Sequence, residues 1–362
     1  MNKYRVGLSA INIPEESYAS VEECMRVGAI GQSEYVERFE EKVAAVVGSK
    51  YCIATSSGTM ADAVALAAMR EYFSSGRVVI PALTFIAQAN AARYAGLAIE
   101  FVDVLEDWTL NLEKADWVAR QDGFVFVTHL MGRMGHVESV RPGSVYLEDA
   151  CEAFGSSLHG RWAGTWGQLG TYSFFVSHSI TTGEGGAIVT DNLDLADLCR
   201  QLRSHGRASD KDPALKFTFP LSGFNAKMSG LTAALGLGVV QHAYEVVGRR
   251  RKVFLTLNGL MGERWIEREG EWVVPHGYPI EFGSEEARDT ALHTLVAEGI
   301  ECRKFFSSIP TEGAYKYYWP KKFPTADYIS RTHLYIPCHQ NILPEEIVWM
   351  SELVLGQKGI AR

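Results

Sequence analysis

YCIATSSGTMADAVALAAM, residues 51–69, is the stretch on which the fold class turns. Tyr51–Ala54 is a short apolar run suited to a strand, Thr55-Ser56-Ser57-Gly58-Thr59 is a small polar turn, and the Ala-rich Met60–Met69 segment predicts a helix. A strand, a turn of small residues and a helix start leave free backbone N–H groups aimed at one spot, a ready site for a phosphate. Ser57, Gly58 and Thr59 are therefore candidates for holding one, while the same residues also suit an ordinary helix cap.

Working outward, Val36, Phe39, Val43, Ala44 and Val47 recur at helical steps from Glu34, and Gly48 follows as a stop. Downstream, the apolar runs Val78–Ile80, Ile99–Val104, Phe124–Val127, Val145–Leu147, Tyr172–Val176 and Ala187–Thr190 alternate with helical or turn-rich stretches. Strands buried on both faces read this way, so the fold class is α/β, with a mainly parallel central sheet covered by helices. A helix-permissive stretch, Met228–Met261, then leads into strand candidates at Trp272–Val274 and Pro279–Phe282, a helix at Ser284–Ala297, a strand at Glu301–Phe305 and a helix at Glu345–Leu355. These divide the chain into a large domain over residues 1–235 and a smaller C-terminal α+β domain over 236–362.

The chain has 362 residues, 47% of them hydrophobic, enough to fill a large core. A formal net charge of −8 provides no basic field for nucleic-acid phosphates. The N-terminus, MNKYRVGLSAINIPEESY, lacks the apolar core of a signal peptide, and no segment approaches the roughly 20 apolar residues of a membrane helix. A cytoplasmic protein that binds neither nucleic acid nor membrane is expected. Cys24, Cys52, Cys151, Cys199, Cys302 and Cys338 are scattered and form no CxxC pair, which argues against a disulfide framework or a metal knuckle.

The blocks GQSEYVERFEEKVAAVVGSKYCIATSSGT, PALTFIAQANAARYAG, THLMG, YLEDACEAFG, GTYSFFVSHSITTGEGGAIVTD, LRSHGR, GFNAKMSGLTAALGL and EGIECRKFF resemble, in order, those of the DegT-type sugar aminotransferases. The resemblance covers nearly the whole chain. It implies the aspartate aminotransferase fold (PLP fold type I), pyridoxal 5′-phosphate (PLP) or its pyridoxamine form (PMP) as cofactor, and a homodimer with active sites at the subunit interface. It puts the cofactor phosphate at Ser57, Gly58 and Thr59 and gives Ser173 as a second phosphate contact. Phe85 then stacks on the ring, Asp149 pairs with the pyridine nitrogen, and Asn225 reaches over from the partner subunit. Asp149 also stands out without the resemblance, because a carboxylate after a buried strand needs a compensating partner. His205 and Gly206 match a block whose His is read as structural. Arg303 and Lys304 fall in a region that approaches substrate, Lys227 stands where the family has Arg, and Arg249–Lys252 reads as a solvated helix face.

Two positions depart from the common pattern. Glu152 replaces the Gln or His that faces the cofactor's phenolic oxygen, and His178 stands where the aminotransferases carry the lysine that tethers PLP. No lysine lies between Lys114 and Lys211 to substitute locally. An imidazole cannot form the stable imine, so the cofactor is expected to be held noncovalently, while proton transfer survives because imidazole titrates near neutrality. The strings SHSI and EDACE resemble SHHI and EDNCE of the ColD-like 3-dehydratases. That branch implies removal of the 3-hydroxyl of GDP-4-keto-6-deoxymannose, with L-glutamate as amino donor and His178 and Glu152 as catalytic residues. A His-containing branch that uses an iron–sulfur cluster is disfavoured, because its tight cysteine cluster is absent. The rivals are other B6 chemistry on a nucleotide-linked keto sugar and a cofactor-binding pseudoenzyme; the retained phosphate cradle opposes the latter.

Overall fold

Two helices, α1 (Glu15–Arg26) and α2 (Glu34–Val47), precede β1 (Tyr51–Thr55), which passes through Ser56 and Ser57 into α3 (Gly58–Phe73). The computed structural model describes residues 4–119, 123–209, 212–262, 264–316 and 321–359. Helix α2 has the expected bounds, ends on Gly48 at φ +78°, and turns Val36, Phe39, Val43 and Val47 inward. Phe39 meets Phe174 edge-on at 5.3 Å. Burial of each such side chain contributes roughly 1.5–3 kcal/mol.

There follow β2 (Arg77–Pro81), α4 (Ala87–Tyr94), β3 (Ala98–Val102), α5 (Leu112–Ala119), β4 (Gly123–Thr128), β5 (Tyr146–Asp149), a hairpin of β6 (Ser157–Leu158) and β7 (Arg161–Trp162), then β8 (Gly170–Ser173), β9 (Gly186–Thr190) and α6 (Leu193–Arg203). Seven strands form one sheet in the order β1-β9-β8-β5-β4-β2-β3. Pairing is parallel from β8 through β3, and β9 runs antiparallel to both its neighbours. Most sheet residues are buried, which explains their unbroken apolar runs. Strand β8 stops at Ser173, short of the expected Val176, because Phe174 bonds instead to the turn formed by residues 181–185.

The helix-permissive stretch 228–261 is two helices, α7 (Gly230–Gln241) and α8 (Ala243–Leu260), broken at His242. Helix α7 is largely buried against α1 and α2, whereas α8 carries a charged solvent face, so the chain must turn between them. The expected division after residue 235 falls inside α7. The Arg249–Lys252 run is not a uniformly solvated face: Arg249 and Lys252 are exposed, but Arg250 and Arg251 are buried. Four consecutive residues span a full helical turn and cannot share one side. Arg250 donates to the Pro275 carbonyl at 3.1 Å, and Arg251 pairs with Glu267.

Strand β10 (Glu271–Trp272) joins the β6–β7 hairpin. Then β11 (Tyr278–Glu281), α9 (Glu285–Ala297), β12 (Arg303–Lys304), α10 (Pro324–Thr332), β13 (His333–Ile336) and α11 (Pro344–Gln357) build an antiparallel sheet, β11-β13-β12, with its helices. None of the described helices is long and apolar enough to cross a membrane.

Candidate active site

Strands β1, β4, β5 and β8 all end at one edge of the large sheet, and beyond that edge lies a cavity of about 290 Å³. Such a crevice outside the carboxyl ends of parallel strands is the common ligand position of open α/β sheets. Ser57, Gly58 and Thr59 line it from the start of α3, Asp149 and Glu152 from the end of β5, Ser173 and His178 from the end of β8 and its loop, and Phe85 from the turn after β2. The C-terminal elements close it with His276, Arg303, Phe306 and Tyr335.

The cradle is built by close backbone approach. A Cβ on Gly58 would lie 2.7 Å from Ser173 Cβ, and one on Gly186, the last glycine of GEGG, would lie 2.3 Å from the Ser57 carbonyl oxygen. Glycine at both places lets β9 and Ser173 press against the turn at the start of α3. Ser57 caps the helix by accepting from Met60 N–H at 3.2 Å. Ser173 Oγ accepts from Phe175 N–H at 3.3 Å.

Asp149 accepts from Gln88 Nε2 and from Cys151 N–H, at 2.8 and 2.9 Å, both neutral donors. Its neighbour Asp62, from the first turns of α3, accepts from Thr171 Oγ1 at 2.6 Å. Burial raises both carboxyls, and the Asp149 charge raises Asp62 further. Two buried carboxyls served only by neutral donors leave the site short of a positive charge. A protonated pyridine at Asp149, with a phosphate at the N-terminus of α3, would supply that charge and occupy the cradle. The donor set therefore fits a pyridoxal-type cofactor.

Three residues on from Asp149, Glu152 Oε2 accepts from Met131 N–H at 2.9 Å, and burial lifts its carboxyl to about 8. Met131 is held at φ +57°, a strained position for a side chain with a Cβ. The His178 ring places Nδ1 2.5 Å from the Cys151 carbonyl oxygen. A carbonyl can only accept, so Nδ1 carries the proton and Nε2 is left with a lone pair. Burial lowers His178 to about 4, the Cys151 bond opposing and nearby Arg250 assisting, so the ring is a neutral base at ordinary pH. The His276 ring lies 4.8 Å from that of His178.

The DegT/DnrJ/EryC1/StrS aminotransferase family matches residues 12–353. The chain belongs to that family. It is 28% identical to the GDP-perosamine synthase of Escherichia coli O157:H7, over 92% of this chain and 93% of that protein. It is 25% identical to the GDP-4-keto-6-deoxy-D-mannose 3-dehydratase of Escherichia coli O55:H7, over 93% and 96%. Its backbone superimposes on the solved Escherichia coli GDP-4-keto-6-deoxy-D-mannose-3-dehydratase with bound hydrated PLP at a TM-score of 0.89, with 23% identity, covering 97% of this chain and 99% of that one. The fold expected from the sequence is thereby met, and solved relatives carry the expected cofactor in both its PLP and PMP forms.

Of the residues expected from the DegT-type blocks, Ser57, Gly58, Thr59, Phe85, Asp149, Glu152, Ser173 and His178 meet around the one cavity. Phe85 is 54% exposed there, its ring edge-on to Phe306 at 5.9 Å. Asn225 is exposed and is not among the residues lining this chain's own cavity. His205, at φ +64°, is exposed in a left-handed turn with Gly206, away from the cavity. Arg303 lines the cavity, whereas Lys304 is turned to Asp289 at 3.1 Å. Asp62, Gln88, His129 and His276 were not anticipated. His129 is buried, bonded to Glu148 at 2.7 Å through Nε2 while Nδ1 accepts from Gly135 N–H.

Proposed function

We propose that the protein is a PLP/PMP-dependent 3-dehydratase acting on a nucleotide-linked 4-keto-6-deoxy sugar, with GDP-4-keto-6-deoxymannose as substrate and L-glutamate as amino donor. The observation that carries it is the His178 imidazole at the cavity wall, its Nδ1 bonded to the Cys151 carbonyl, in a lining where, among the described residues, no lysine occurs. The bound cofactor, held without a covalent tether, supplies an electron sink and the amine that engages the sugar's keto group. Ser57, Gly58, Thr59 and Ser173 hold its phosphate, Asp149 its pyridine nitrogen, Phe85 one ring face, and Glu152 faces its phenolic oxygen. Asn225 serves the site of a partner subunit in a homodimer. His178 Nε2 would take the proton from C4′ of the bound cofactor, whose ring would pass the released electron pair on to expel the hydroxyl on sugar carbon 3.

Transamination of the same sugar is the alternative, supported by identities of 28%, 29% and 25% to GDP-perosamine synthases, as high as the 25% and 27% to 3-dehydratases. It needs a residue to carry PLP as an imine, and His178 cannot. The test is to incubate the protein with PLP, L-glutamate and GDP-4-keto-6-deoxymannose and to follow 2-oxoglutarate and the mass of the sugar. Glutamate-dependent loss of oxygen at carbon 3 is expected; stable gain of nitrogen would establish the aminotransferase instead.

A further inference from the structure

We propose that His276 is a second catalytic imidazole, a hydrogen-bond donor to the hydroxyl that leaves the sugar. It rests on the dehydration proposed above. His276 lies just ahead of β11, on the wall contributed by the C-terminal elements, and its ring sits 4.8 Å from that of His178. Its backbone N–H donates to the Met131 carbonyl at 3.2 Å, and the Met131 N–H donates to Glu152. One strained residue thus fixes both His276 and Glu152, whose nearest polar atoms, Nε2 and Oε1, are 4.0 Å apart.

The tautomer follows from burial. His276 Nδ1 is fully buried with no hydrogen-bond partner among the described residues. An orphaned N–H in such a place is costlier than an orphaned lone pair, so the ring proton sits on Nε2, toward the cavity. His178 has the opposite arrangement, with its proton fixed on Nδ1 by the Cys151 carbonyl. Two adjacent imidazoles therefore present an acceptor and a donor to the same space. His276 is kept neutral by its burial, with His178, Arg250 and Arg303 acting in the same direction. It can thus donate a hydrogen bond without opposing the positive charge that His178 gains.

The step balances. His178 Nε2 would take the proton from C4′ of the bound cofactor, and the electron pair so released would move toward the sugar as the C3–O bond breaks. The oxygen leaves with its pair, stabilised by the His276 N–H, and takes the proton back from His178 to form water. No oxidant is consumed, and both rings end as they began. A fixed donor aimed at developing negative charge is worth about 10²–10³ in rate.

The test compares wild type, His276→Phe and His276→Gln on the 4-keto sugar bearing either a hydroxyl or a fluorine at carbon 3. Phenylalanine keeps the ring against His178 and removes the donor; fluoride departs with less need of one. His276→Phe should slow loss of the hydroxyl about 10²–10³-fold and loss of fluoride less than about tenfold, with His276→Gln recovering part of the deficit. PLP affinity, read by absorbance titration, should stay within about threefold of wild type, since His276 is assigned to the sugar side. Equal slowing of both substrates, no slowing, or lost PLP affinity would overturn the role of His276. Failure of wild type to eliminate either group would instead overturn the dehydration, and this role with it.

Discussion

Glu152→Gln should stabilise the cofactor-free protein by an amount that grows with pH. Burial raises the Glu152 carboxyl from 4.5 to about 8. Between those values the folded protein keeps a proton that the unfolded chain has released, so stability falls by about 1.4 kcal/mol for each pH unit climbed. By pH 7 the loss is about 3 kcal/mol, and it levels off at about 5 kcal/mol above pH 8. Glutamine is neutral throughout and can still accept the Met131 N–H bond, now 2.9 Å long. Urea unfolding of both proteins, at matched concentration and without cofactor, should show a difference under about 1 kcal/mol at pH 5, about 3 at pH 7 and about 5 at pH 8.5. A difference that stays constant, or narrows as pH rises, would refute the buried, proton-holding carboxyl.

Gly58→Ala forces a Cβ to within 2.7 Å of Ser173 Cβ, so it should destabilise by about 1–3 kcal/mol and weaken the rise in melting temperature on adding PLP. Asp149→Asn should act in opposite directions on the two states. Without cofactor it relieves the buried Asp62–Asp149 pair and raises the urea midpoint, whereas PLP binding weakens by about tenfold or more for want of the pyridinium partner. Glu148→Ala strips the acceptor from the N–H groups of Gly164, Trp166 and Gly167 and from His129, and should cost about 3 kcal/mol or more by urea unfolding.

The elements legible in the sequence are those whose burial is complete and periodic. Helix α2 shows its inward stripe and its Gly48 stop openly, and the sheet strands are apolar because both faces are covered. Helix α1 shows no apolar period in its sequence, because it buries only Ser17 and Cys24 in EESYASVEECMR. Helix α10 and strand β13 abut at Thr332 and His333, so neither has a stop signal to separate them. The break at His242 falls in VVQHAYEVV, with no glycine or proline stop, so local propensity does not show it.

The site was legible where strand ends carry motif residues, because β1, β5 and β8 deliver the cradle, Asp149 and Ser173 to the same edge. Asp62 could have been found as the lone carboxylate in the otherwise apolar MADAVALAAM run, an expensive place for a charge. His276 gave no such signal. It sits in a loop, and only the packing of the C-terminal sheet against the Met131 turn brings it to His178.

A lysine-dependent family working through an untethered cofactor is the central claim, and borohydride reduction tests it most directly. The protein is saturated with PLP, reduced and digested, and its peptides are weighed. Wild type should yield no pyridoxyl-lysine from the active site, while His178→Lys under the same conditions should yield a pyridoxylated peptide at that position. A pyridoxyl group on Lys227, or on any other lysine reaching the cavity of the wild-type protein, would contradict the role given to His178.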